Sequence, residues 1–104
     1  MIDIDTISGL GHFVKDTEKL DKYHSRDLYR IQADGKPFLV VNKNTIELRT
    51  DDKLGKLLIE KYESVMESRY FGRGGLEIVS QTDQLKKDEL EDLVRLSYNL
   101  TKDL

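Results

Sequence analysis

Apolar positions recur with two different periods along this chain, and the change of period marks out its elements. In Leu28-Tyr29-Arg30-Ile31-Gln32, Tyr29 and Ile31 share one face by period two, which predicts a strand. Ala33-Asp34-Gly35-Lys36 follows with Asp-Gly, a strong hairpin signal because a type I′ turn needs positive φ at both central residues. Pro37 then opens Phe38-Leu39-Val40-Val41, apolar on both faces and therefore read as a central strand. Asn42-Lys43-Asn44 is a further turn, and Thr45–Arg49 a half-buried strand with Ile46 and Leu48 inward.

The period then lengthens. Leu54, Leu57, Leu58, Tyr62 and Val65 fall at i, i+3, i+4, i+8 and i+11, predicting an amphipathic helix over 51–66. Thr50 is its expected N-cap, with Asp51 and Asp52 at the positive end of its dipole. Arg69-Tyr70-Phe71 and Leu76–Val79 read as two strands around a Gly72-Arg73-Gly74-Gly75 hairpin loop, and Gln81–Gln84 as linker. A last helix over 86–102 carries Leu90, Leu93, Val94, Ser97 and Tyr98 on one stripe. Before all of this, Ile2, Ile4 and Ile7 alternate weakly, and Asp16–Tyr23 is read as two helical turns.

The resulting order is β-β-β-α-β-β-α with a short leading helix. Strands grouped apart from helices predict a two-layer α+β fold, a five-stranded antiparallel sheet with helices on one face. One domain spans 1–104, with a poorly defined N-terminal segment, 1–26, and an α+β core, 27–104. The expected core comprises Tyr29, Ile31, Phe38, Val40, Ile46 and Leu48 from the strands and Leu54, Leu57 and Leu58 from the first helix. Leu76, Ile78, Leu90, Leu93, Val94 and Tyr98 complete it.

Composition narrows the function classes. The chain has 104 residues, with 17 Lys+Arg against 20 Asp+Glu, so 17 − 20 = −3, a balance that argues against a strongly basic nucleic-acid module but leaves room for a local basic patch. Cysteine is absent, which removes disulfides, thiolate metal sites and cysteine nucleophiles. No apolar run reaches a membrane span, and the first residues lack a signal-peptide pattern, so the expectation is a cytoplasmic protein without a membrane partner.

Catalytic chemistry finds little footing. There is no Gly-x-Ser-x-Gly, and His12 and His24 have no evident orienting partner. No acidic run has the length of a calcium loop, and the glycines at 72–75 lie between strands instead of opening a helix. No catalytic residue, metal or cofactor is therefore expected. One cluster stands out: Arg69-Tyr70-Phe71-Gly72-Arg73 joins two guanidinium groups and two aromatics to a glycine turn, with Arg30 and Lys36 in the neighbouring meander. Arginine binds phosphate bidentately and aromatic rings stack on bases, so Arg69, Tyr70, Phe71, Arg73, Arg30 and Lys36 form a candidate nucleic-acid site. The competing reading packs Tyr70 and Phe71 against the helices and leaves the arginines solvated or paired with Glu67 and Glu77.

Three stretches carry a family resemblance: Gly35–Val41, Glu47-Leu48-Arg49-Thr50-Asp51 and Leu90–Leu100. From Gly35 to Leu100 the chain resembles the MmcQ/YjbR family, whose members are commonly described as DNA-binding, and it overlaps in pattern with TfoX N-terminal and YdhG-like domains. The family's tyrosine-histidine-methionine-asparagine-lysine motif, followed by tryptophan, is replaced here by Arg69–Arg73 and Leu76. The resemblance implies a secretion-chaperone-like two-layer fold and a small non-enzymatic binding module with DNA as partner. The alternative is a protein-interaction module, either chaperone-like or a homodimer, pairing through an uncovered sheet face or edge.

Overall fold

The computed structural model describes residues 9–80 and 84–104. The alternation at Ile2, Ile4 and Ile7 and most of the expected linker lie outside these residues. Eight elements follow in order: β1 (Phe13–Lys19), β2 (Ser25–Ile31), β3 (Pro37–Val41), β4 (Thr45–Arg49), α1 (Asp52–Lys61), β5 (Val65–Ser68), β6 (Gly72–Val79) and α2 (Lys87–Lys102). The strands form one antiparallel sheet in the order β1-β2-β3-β4-β6-β5. Among the described residues the fold is therefore α+β with six strands and two helices.

The sixth strand is β1, where two helical turns were expected over 16–23. Its residues pair in register with β2 from Phe13↔Ile31 to Lys19↔Ser25. Cross-strand polar pairs hold that register: Thr17 Oγ1 donates to Asp27, Arg26 to Glu18 and Arg30 to Asp16. The segment read as undefined before residue 27 thus supplies an edge strand and the first two residues of β2. Leu20 and Tyr23, the supposed helix stripe, stand exposed at the hairpin tip.

Helix α1 is shorter than 51–66. It begins at Asp52 with Asp51, not Thr50, as N-cap: the Asp51 carboxylate accepts from Leu54 N at 2.8 Å. It ends where Tyr62 N donates to Leu58 O. Val65 keeps helical spacing from Leu54 yet belongs to β5, opposite Ile78, where a β-branched side chain packs well. Leu57 is 58% exposed and not core. On a helix, Gly55 faces the sheet, 3.8 Å from Leu76 by a virtual Cβ, and Leu57 lies well over a right angle away from it.

The second hairpin is also displaced. The strand expected at 69–71 is β5, at 65–68, and Arg69-Tyr70-Phe71 form the connection to β6. The segment expected as a glycine loop, 72–75, is strand: β6 starts at Gly72 and runs through Arg73, Gly74 and Gly75, with Gly75 opposite Arg49. Gly75 is required by space. A Cβ there would lie 2.6 Å from the Phe71 Cβ and 3.2 Å from the Leu48 carbonyl oxygen.

Both helices cover one face of the sheet, α2 on β2, β3 and β4 and α1 on β5 and β6. The core between them holds most of the expected residues, plus Leu39, Val65 and Leu85, while Leu54 and Leu58 pack at its margin. A β-bulge in the β2–β3 pairing, where Tyr29 opposes Leu39 and Arg30 opposes Pro37, turns both Phe38 and Leu39 toward this core. Phe38 meets the Tyr98 ring edge-on at 5.1 Å. Ser97, fully buried on α2, ties the layers together. Its Oγ donates to Phe38 O at 2.6 Å and accepts from Arg49 N at 2.8 Å.

Candidate functional site

Among the described residues no helix covers the opposite face of the sheet, and its central positions are nevertheless buried. Leu28, Val40, Glu47 and Glu77 lie there in cross-strand register, each 2% exposed or less. Two carboxylates directly opposite each other repel, and burying each charge costs several kcal/mol unless it is met by donors. The connection at 69–71 supplies half of those donors by folding over this face. Glu47 accepts from Ser68 Oγ and Tyr70 N at Oε1, and from Asn42 Nδ2 at Oε2. Glu77 accepts from Nε and Nη2 along one edge of the Arg69 guanidinium at 2.9 and 2.7 Å, and from the Thr45 hydroxyl at 2.8 Å. The Arg69 hydrogen bonds hold the Glu77 carboxyl below its ordinary value, against the opposing effect of burial, and Glu77 in turn raises the Arg69 guanidinium.

The aromatic rings are used in the same construction. Tyr70 and Phe71 pack edge to face at 4.9 Å. Arg26 lies over the Tyr70 ring at 5.1 Å and Arg49 over the Phe71 ring at 4.7 Å, the latter also donating from Nε to Pro37 O. The result is a row, Arg26–Tyr70–Phe71–Arg49, laid across buried Glu47.

The six candidate residues thus separate. Arg69, Tyr70 and Phe71 stay together, bound to the open sheet face, with the Arg69 side chain 79% exposed beside its carboxylate. Arg30 shares that face but is engaged by Asp16 and Gly35 O. Lys36 lies at the β2–β3 turn, its Nζ on Leu104 O. Arg73 is exposed and carries no ion pair among the described residues; it borders a cavity of about 220 Å³ with Lys56 but also with Asp51, Asp52 and Glu67. Reading outward strand positions as solvated conceals Glu47 and Glu77. The pairing of Arg69 with Glu77, weighed above as the alternative to nucleic-acid contact, is observed, but Tyr70 and Phe71 lie over Glu47 on the sheet face away from the helices and not against them.

A cavity of about 310 Å³ opens beside this row, lined by Leu20, Arg26, Asn42, Glu47, Arg69 and Tyr70. On the helical side, a second hollow of about 270 Å³ runs between α1 and α2. Leu54 and Leu58 form one wall, Leu85, Leu93 and Leu96 the other, and Glu89 and Asp92 the rim. Neither place gathers metal ligands: among the described residues no cluster of three His, Cys, Asp or Glu exists. No helix among them is long and apolar enough to cross a membrane.

These observations define, for the described residues, an α+β protein with concave surfaces on both sides of one antiparallel sheet. No family model, no curated protein and no solved structure matches the chain.

Proposed function

We propose that the protein is a non-enzymatic binding module whose partner is an amphipathic, basic segment of another protein, received between α1 and α2. The observation that carries this reading is the groove itself, an apolar trough whose charged lining, among the described residues, is the carboxylates of Glu89 and Asp92. Leu57 extends the apolar surface: on α1 it lies within about 60° of Leu54 in helical projection, on the solvent side of the trough, and is 58% exposed. Helix-in-groove recognition uses such a trough for apolar anchors, and rim charges then choose the partner's sign.

DNA, the partner implied by the family resemblance, has weaker support in this geometry. Base stacking needs free aromatic faces, while Tyr70 and Phe71 face each other and two arginines. Of the six candidate groups, Arg73 alone is both exposed and unpaired among the described residues, and three carboxylates border its cavity.

Fluorescence anisotropy with a labelled leucine–lysine amphipathic peptide tests the proposal against a leucine–glutamate peptide of the same pattern. The basic peptide binds, with affinity falling roughly tenfold in the Glu89→Lys, Asp92→Lys double variant and in high salt. Equal binding of both peptides, or saturation by a labelled DNA duplex and not by the basic peptide, overturns it. Self-association through the same trough would show as a concentration-dependent mass in light scattering abolished by Leu57→Asp, and would replace the proposed partner with a second copy.

A further inference from the structure

The two carboxylates on the rim of the helical trough are not equivalent. Asp92 stands in water with its side chain 75% exposed, and Arg95 Nη1 donates to its Oδ1 at 3.4 Å. Glu89 is half-buried among the leucines of the trough, and its carboxylate makes no hydrogen bond or ion pair among the described residues. The cations of α2 on either side of it pair elsewhere: Lys87 lies 4.0 Å from Glu91, and Arg95 holds Asp92. A helix-end role does not require Glu89 either. Asp88, exposed in the same first turn, already places negative charge at the positive end of the α2 dipole and accepts from Glu89 N at 3.1 Å.

A carboxylate beside apolar walls is screened less by water than one on an open helix face, so an arriving cation gains more at Glu89. At Asp92 the same cation meets a pair already formed and the positive charge of Arg95. Spacing supplies the rest of the signature. Glu89 and Leu93 are i and i+4 on α2, about 6 Å apart along its axis, and Leu93 faces Leu54 and Leu58 across the trough. A partner helix lying along α2 meets both positions with a cation and an apolar anchor one turn apart. Resting on the groove reading, we infer that Glu89 is the specificity-determining residue of the trough. The partner it selects carries a lysine or arginine one helical turn from its anchoring leucine, and Asp92 adds little.

Fluorescence anisotropy with three helical peptides sharing the same leucine anchors tests this. The first carries a single lysine one turn from the anchors, the second carries it three turns away, and the third has norleucine in place of the first peptide's lysine. The first peptide should bind the parent protein about fivefold more tightly than either of the others. Glu89→Gln should erase that difference, and Asp92→Asn should leave it. In Glu89→Lys the preference passes to a glutamate at the first peptide's lysine position. A purely structural role for Glu89 would weaken all three peptides alike and leave their ratios unchanged. An undiminished preference in Glu89→Gln, or an equal loss in Asp92→Asn, overturns the inference and leaves the groove reading standing. So does equal or absent binding of the three peptides while the leucine–lysine amphipathic peptide binds. Failure of that peptide as well overturns the groove reading, and the role of Glu89 falls with it.

Discussion

Glu77 shows how much one buried side chain can demand of its neighbours. Its two oxygens take three donors, two of them from Arg69 across the β5–β6 connection. Because its folded pKa is lowered, chiefly by the Arg69 hydrogen bonds, its contribution to stability is present above the unfolded carboxyl value, near 4.3. That contribution is lost as pH falls through the still lower folded value. Arg69→Ala should therefore lower Tm clearly at pH 7, with the gap from the parent protein closing as the pH drops below about 4. Thermal melts by circular dichroism across pH 2.5–7 measure it, and a gap that persisted at the acid end would show that Arg69 acts through packing alone. Ser97 makes a similar case without charge. Ser97→Ala leaves Phe38 O and Arg49 N unpaired in the core, at a cost of about 2 kcal/mol measurable by urea unfolding, whereas an exposed Ser→Ala change on the same helix costs little.

At the scale of elements, the fold was legible where apolar residues keep one period. The shared face of Ile46 and Leu48 on β4 and the Leu90–Tyr98 stripe of α2 follow from such a period, and the turns at 33–36 and 42–44 from their Gly, Asp and Asn residues. Gly35 has positive φ without Asp34, however, so the first turn is not the type I′ turn expected. Reading failed where a second signal competed. Asp16–Tyr23 has helix-forming residues, but its charges pair across to β2, and tertiary pairing prevails over propensity in an edge strand. Val65 continued a helical spacing by coincidence, while Tyr62, Glu63 and Ser64 had already turned the chain back toward the sheet. The cluster at 69–73 was visible as a group of residues, but its role was not, because its acceptors, Glu47 and Glu77, sit at positions that alternation assigns to solvent. Gly75 offers the element-scale test. Gly75→Ala forces a methyl against the Phe71 Cβ and the Leu48 carbonyl, so it should cost about 1–3 kcal/mol and loosen the connection over the open face. By contrast, Gly9→Ala, with no atom near its virtual Cβ, should leave the urea midpoint unchanged.

For the whole molecule, the sheet has two ends that differ in how they avoid joining another sheet. At one end β5 is only four residues long, too short to template much pairing. At the other, β1 presents seven residues whose outer edge pairs with no strand among the described residues, and it carries Lys15, Asp16, Glu18 and Lys19. Lys15 lies opposite Tyr29, on the helix-covered side of the sheet, with its side chain 48% exposed beside Asp27. An edge lysine on the apolar side must be desolvated before a second strand can dock, which costs more than the added ladder returns. Val14, on the other side of the same strand, is already 41% exposed, so apolar surface is at hand once these charges are removed. Replacing the barrier, Lys15→Val with Lys19→Val, should convert β1 into a sticky edge and produce dimers or larger species in light scattering at concentrations where the parent chain's mass is unchanged. The same pair replaced by glutamate keeps the barrier while changing the net charge by about −4, and should leave the mass as it was. An equal rise in mass for both pairs would assign the effect to loss of positive charge, and the edge would then owe its isolation to something other than these lysines.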